Sequence, residues 1–192
     1  MPNLLIPAVL AFAALSIVNL RWSLFVLIAL LPAYLWRFQI GPLPSTFLEV
    51  MIWIVMGVWL FQWLVPERNA VKSKALRLAS LAQGLKKHWP LSLGIALILI
   101  ASTISMSIAP DLRAAAGLWK AYFIEPIALF TIFITTFEKK DVPKIIFALS
   151  LTALVASGIA IYQKFTGAWI PNPFWTAEET RRVTSVWGFP NA

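Results

Sequence analysis

The apolar residues of this chain come in continuous blocks of about membrane-spanning length, and the short stretches between them hold nearly all of its Lys, Arg, Asp and Glu. About 20 apolar residues in a helix cross a hydrocarbon core ~30 Å thick. A membrane β-strand would instead alternate apolar and polar residues over a segment of about ten. These blocks do not alternate and are rich in Leu, Ile and Ala, so they predict helices. Across the chain 60% of residues are apolar and 12% charged, against roughly 45–50% and about 25% in a soluble domain. The expected fold class is therefore all-α: a polytopic transmembrane helical bundle of about six spans, forming a single membrane domain over residues 1–192.

The blocks set the expected order of spans. Leu4 to Asn19 and Trp22 to Trp36 are short and separated by Arg21, which predicts a tight helical hairpin. Snorkelling by Arg21 and Arg37, with Trp22 and Trp36 at the interfaces, would supply the missing length. Gly41, Pro42 and Pro44 break the helix before Ser45 or Thr46, either of which can cap a third span from Phe47 to about Val65. Further spans are expected at Leu91 to Ile108, Trp119 to Phe137 and Ile145 to Gln163. Between Pro66 and Pro90, Arg68, Lys72, Lys74, Arg77, Lys86 and Lys87 face the single acid Glu67. That stretch reads either as an amphipathic helix on anionic lipid or as a solvated loop, and on both readings it faces the cytoplasm. The basic turn Glu138 to Lys144 goes to the same side. Ala109 to Leu118, everything beyond Lys164 and the N-terminus then lie outside.

Several classes of chemistry are set aside by what is scarce. The chain has no cysteine, which removes thiol catalysis and thiolate metal sites. His88 is its one histidine, and among the scattered acids only Glu178 and Glu179 adjoin, so neither a metal nor a cofactor is expected. The net charge of +8 follows largely from positive-inside loops, which leaves the lipid bilayer as the expected partner and no nucleic acid. No basic n-region precedes the first block, so it is expected to stay as a membrane helix. There is no internal repeat.

Ionisable residues inside apolar blocks are costly and so mark candidate sites. Glu125, followed by the helix-kinking Pro126, reads either as a carboxylate facing a polar cavity or as an interfacial acid paired with Lys120 or Arg113. Glu49 suits the N-terminal end of the third span. The external segment from Lys164 onward combines Phe165, Trp169, Phe174 and Trp175 with Pro171, Pro173 and the adjacent Arg181 and Arg182. It reads as a loop pressed on the membrane surface, with arginine forks suited to phosphate or with aromatics and arginines that anchor to head groups.

The run Arg182-Val183-Thr184-Ser185-Val186-Trp187-Gly188-Phe189-Pro190-Asn191-Ala192 resembles a segment of the O-antigen ligase and polysaccharide polymerase superfamily. There an arginine precedes a Thr/Ser, Gly and aromatic stretch that ends in Pro-Asn. The helix bearing Leu118-Trp119-Lys120-Ala121-Tyr122 and Glu125-Pro126 is similar in its context. The resemblance implies a GT-C-like fold and a metal-independent transfer of glycan from undecaprenyl diphosphate to an acceptor, at the outer face of the bacterial cytoplasmic membrane. It also implies a diphosphate-binding role for Arg182, with Arg181 as a helper. The family's external loop with its essential histidine would lie further along than residue 192. This chain is thus expected to be the N-terminal part of a longer protein and inactive alone. A transporter or flippase for a lipid-linked or amphiphilic solute is the rival reading, and a membrane scaffold the third.

Overall fold

The computed structural model describes residues 2–40, 43–64 and 89–186. The basic stretch expected to lie on the cytoplasmic side, with His88, falls outside the described residues, as does the motif from Trp187 to Ala192. Helices dominate: α1 (Pro2–Val18), α2 (Leu20–Ala29), α3 (Phe47–Leu64), α4 (Trp89–Ser107), α5 (Leu112–Trp119), α6 (Glu125–Thr136) and α7 (Val142–Thr166). The all-α expectation is met. Three helical stretches, Trp89–Ser107, Leu112–Thr136 and Lys139–Thr166, are long and apolar enough to cross a membrane. Their apolar side chains point outward: Leu97, Ile104, Phe147 and Leu154 are each more than half exposed. Such contiguous exposure is unfavourable in water and suits a lipid solvent.

The chain divides into two compact units, residues 1–55 with 137–192 and residues 56–136. In the first unit α1 and α2 meet at Asn19, whose extended backbone (φ −152°) ends one helix and whose side chain accepts from the Trp22 N–H at 3.1 Å. The break therefore falls at Asn19 and not at Arg21, because an Asx side chain can satisfy an orphan N–H and an arginine cannot. Arg21 lies in the first turn of α2, where it pairs with Glu138 (3.1 Å) and Asp141 (3.4 Å) instead of simply snorkelling. Glu138 and Asp141 cap each other's backbone across the short 3-10 turn Lys139–Asp141. Hydrogen bonds from Lys140 and then Arg21 hold the Glu138 carboxyl below the usual carboxylate range.

The second apolar block stops being α-helical at Ala29, where a 3-10 turn (Leu31–Leu35) leads into an antiparallel ribbon of β1 (Arg37–Ile40) and β2 (Leu43–Thr46). Arg37 pairs with Thr46 and Ile40 with Leu43. The sequence signalled the break but not the ribbon. Thr46 then caps α3 as expected: its Oγ1 accepts from the Glu49 N–H at 3.1 Å, and Ser45 donates to the Glu49 carboxylate at 3.1 Å. Leu24, Leu27 and Ile28 of α2 are buried, and α2 packs against α7. The Thr152 hydroxyl of α7 reaches the Ala29 carbonyl at 2.8 Å, tying the two helices at the frayed end of α2.

In the second unit α4 packs against α5, and Trp119 Nε1 donates to Ser102 Oγ at 3.1 Å. Trp59 of α3 donates to Thr135 of α6 at 3.2 Å. The fifth apolar block begins earlier than the sequence predicted. Asp111 accepts from the Ala114 N–H at 3.0 Å and starts the helix at Leu112, so most of the expected external loop Ala109 to Leu118 is helical.

Candidate functional site

Glu125 belongs to the second unit, and Arg181 and Arg182 to the first. Each setting is built differently. Pro126 has no N–H, and its ring would collide with the carbonyl four residues back in a regular α-helix. The chain answers with a π turn over Lys120–Ile124, in which the Glu125 N–H bonds to the Lys120 carbonyl five residues earlier. Wide turns of this kind re-aim side chains and recur at functional positions. Here Glu125 is 7% exposed, and its Oε1 lies 4.0 Å from Lys120 Nζ. The acid is thus both buried and paired, which joins halves of the two readings made from sequence. A separate recess of about 190 Å³ next to the turn is bordered by Ser102, Ser105, Leu118, Trp119 and Phe123.

In the first unit the segment after α7 folds back as a strap on the helix end. Gly167 closes α7 in the left-handed region (φ +69°), where a side chain would be strained. A Cβ there would also meet the Arg181 guanidinium at 3.0 Å. Arg181 is spent on this closure: Nη1 donates to the carbonyls of Lys164 (2.8 Å) and Phe165 (3.2 Å), and Nε to that of Thr176 (3.1 Å). A cation on the free carbonyls of a helix C-terminus is favourably placed for both hydrogen bonding and the helix dipole. The fork expected to help bind diphosphate therefore turns inward and holds the strap.

Arg182 behaves oppositely. Its backbone N–H donates to the Trp175 carbonyl at 3.2 Å, while its side chain is exposed and forms no hydrogen bond or ion pair with the described residues. Phe165, Trp169 and Phe174 are also strongly exposed. Trp169 leans on Tyr162 with ring centroids 4.8 Å apart. The segment thus carries an exposed planar cation and exposed aromatics, chemistry that suits a phosphate-bearing amphiphile or a head-group layer.

Two features had no reading in the sequence. One is Gln163, wholly buried, whose amide uses every donor and acceptor it has. Nε2 donates to the carbonyls of Trp169 (3.1 Å) and Ser185 (3.0 Å), and Oε1 accepts from the N–H groups of Thr184 (2.9 Å) and Ser185 (2.7 Å). A lone amide ending an apolar span was the only available signal. The other is an apolar cavity of about 400 Å³, bordered by Leu30, Trp36, Phe47, Leu151, Val155 and Val186 among others. Val186 brings the strap to the cavity wall, four residues after Arg182 and so no more than about 14 Å from it along the chain. Among the described residues no three His, Asp or Glu come together as a metal would require.

No family model, curated protein or solved structure matches the chain.

Proposed function

We propose that this chain is part of an O-antigen ligase-like glycosyltransferase, working at the outer face of the bacterial cytoplasmic membrane on a glycan carried by undecaprenyl diphosphate. The observation that carries the reading is the division of labour between two adjacent arginines. Arg181 is consumed by carbonyls and fixes the strap, and Arg182 leaves that fixed strap with its guanidinium exposed. The terminal run beginning at Arg182 supplies the resemblance, and the apolar cavity bordered by Val186 offers a lipid chain a place on the same unit. On this reading the bundle is GT-C-like with about six spans, and no metal takes part. An acceptor hydroxyl oxygen bonds to the anomeric carbon, the bond from that carbon to the diphosphate oxygen breaks, and the electron pair departs with the diphosphate. Arg182 stabilises the charge that collects there. The acceptor's proton goes to a base outside the residues named here.

Transfer by Arg182→Ala and Arg182→Lys proteins, inserted at equal levels, tests the assignment. Removing a charge-assisted contact costs about 1.5–3 kcal/mol, or roughly 10- to 150-fold in rate. Lysine keeps the charge but loses the fork, so it should also be impaired. Normal transfer by both proteins would remove Arg182 from the site.

A transporter or flippase of an amphiphilic solute is the second reading. It is favoured by one observation, the interruption of the helix from Leu112 to Thr136 beside a buried acid, since transporters use broken helices at their binding sites. Movement of labelled lipid-linked glycan between leaflets, lost in Glu125→Gln and kept in Arg182→Ala, would favour it over glycan transfer.

A further inference from the structure

We infer that Gln163 is a positioning residue for Arg182: its amide sets the backbone turn that aims the arginine, an inference that rests on the diphosphate reading above. Ser185 adopts φ +49°, a left-handed conformation that is strained for a non-glycine residue. The conformation persists because the Gln163 amide binds both faces of the turn. Its oxygen takes the consecutive N–H groups of Thr184 and Ser185, and its nitrogen takes the Ser185 carbonyl. Ser185 Oγ donates a 2.6 Å bond to the Ala156 carbonyl, about two turns before Gln163 on α7. The backbone on either side of the turn is thereby fixed in direction. On one side of it Val186 meets the apolar cavity, and on the other Arg182 is exposed. The same amide reaches the Trp169 carbonyl, so one side chain registers both ends of the strap against α7. An amide is suited to this work because it has two donors and two acceptor sites with no charge to desolvate. Truncating it leaves buried backbone groups without partners, the costly case for hydrogen bonding.

The role has a signature that simple packing lacks. If the amide's task is to hold Ser185 left-handed, then glycine at 185, which adopts that conformation freely, should compensate in part for loss of the amide. The test uses the full-length protein in its membrane. Thr184→Cys, in a background made free of other cysteines, serves as reporter, since Thr184 is 3% exposed. Binding of undecaprenyl diphosphate in nanodiscs serves as the second readout. Gln163→Met, which keeps length and bulk, should expose the reporter to a membrane-impermeant maleimide and weaken binding roughly tenfold. Adding Ser185→Gly should restore part of both. Should Gln163→Met fail to accumulate, Gln163→Glu, which keeps the two acceptor contacts and loses the two donor ones, should show a smaller loss that Ser185→Gly again restores in part. Binding that is unchanged in the Gln163 variants but lost in Arg182→Ala would overturn the role of Gln163 alone, as would an absence of rescue by Ser185→Gly. Binding unchanged in Arg182→Ala as well would overturn the diphosphate reading and this inference with it.

Discussion

The end of α7 and the helix from Leu112 to Thr136 both carry a polar side chain into apolar surroundings, and they treat it in opposite ways. Gln163 is neutral and uses all four hydrogen-bonding positions on backbone groups of the strap. Glu125 can carry a charge, lies 4.0 Å from Lys120 Nζ, and sits against a π turn instead of regular helix. A saturated amide has no charge to strip of water, so it can be buried completely and serve as scaffold. A carboxylate at 7% exposure needs a counter-charge, and Lys120 supplies one. A neutral amide clasp and a charged pair are thus two kinds of buried polarity, and a buried ionisable group is the kind that more often marks chemistry.

Substitutions can break this comparison. Arg181→Ala should have the largest effect on stability, because it removes three bonds from a cation to backbone carbonyls. A loss of about 2 kcal/mol is expected, below the sum of the three because the site is half-exposed. It should appear as a lower unfolding midpoint in detergent together with protease cleavage near Thr176. An intact, resistant strap would mean that the scaffold lies elsewhere. Glu125→Gln should cost less than about 1 kcal/mol, since its Lys120 partner is about a third exposed and the pair is long. Its activity should nevertheless fall while insertion is unchanged. A stability loss as large as that of Arg181→Ala, with normal turnover, would move Glu125 into the scaffold and erase the contrast.

Glu138→Gln should have the smallest effect. Its carboxyl is held below the usual range by Lys140 and Arg21, so its contribution is present at neutral pH and is lost as pH falls through the lowered value. Wild type and variant should differ slightly at neutral pH and low salt, and converge on acidification or in high salt. A gap that widens in acid would reverse the assigned sign.

What could be read from the sequence was what neighbouring residues decide between themselves. Thr46 and Glu49 stand three residues apart at the start of an apolar run, and the cap and α3 follow from that spacing. Asp111 carries the same kind of signal before Leu112, but the small Ala114, Ala115 and Ala116 that follow gave no apolar block long enough to mark a span. Pro126 announced a disturbance, and only the structure gives it the form of a π turn. Pro44 hid the ribbon, because proline and glycine argue against helix without saying what replaces it. Arg181 and Arg182 look alike in the sequence. Their separation depends on a strap that returns to Lys164, seventeen residues earlier, and no local pattern encodes that return. The helices and their span-length apolar character were legible, and the different hydrogen bonding of the two arginines was not.

The ion pair that joins Arg21 to Glu138 also sets a clock on how the protein is made. The two residues are 117 positions apart. At roughly 5–20 residues per second, a ribosome takes about 6–23 seconds to travel from one to the other. For that interval α1 and α2 are held by the Asn19 cap and by their own packing, while α3 to α6 are still being made. The contacts that finish this end of the first unit therefore form well after α1 and α2 are made, and a nascent chain stalled before Glu138 would leave the arginine still waiting for its acids.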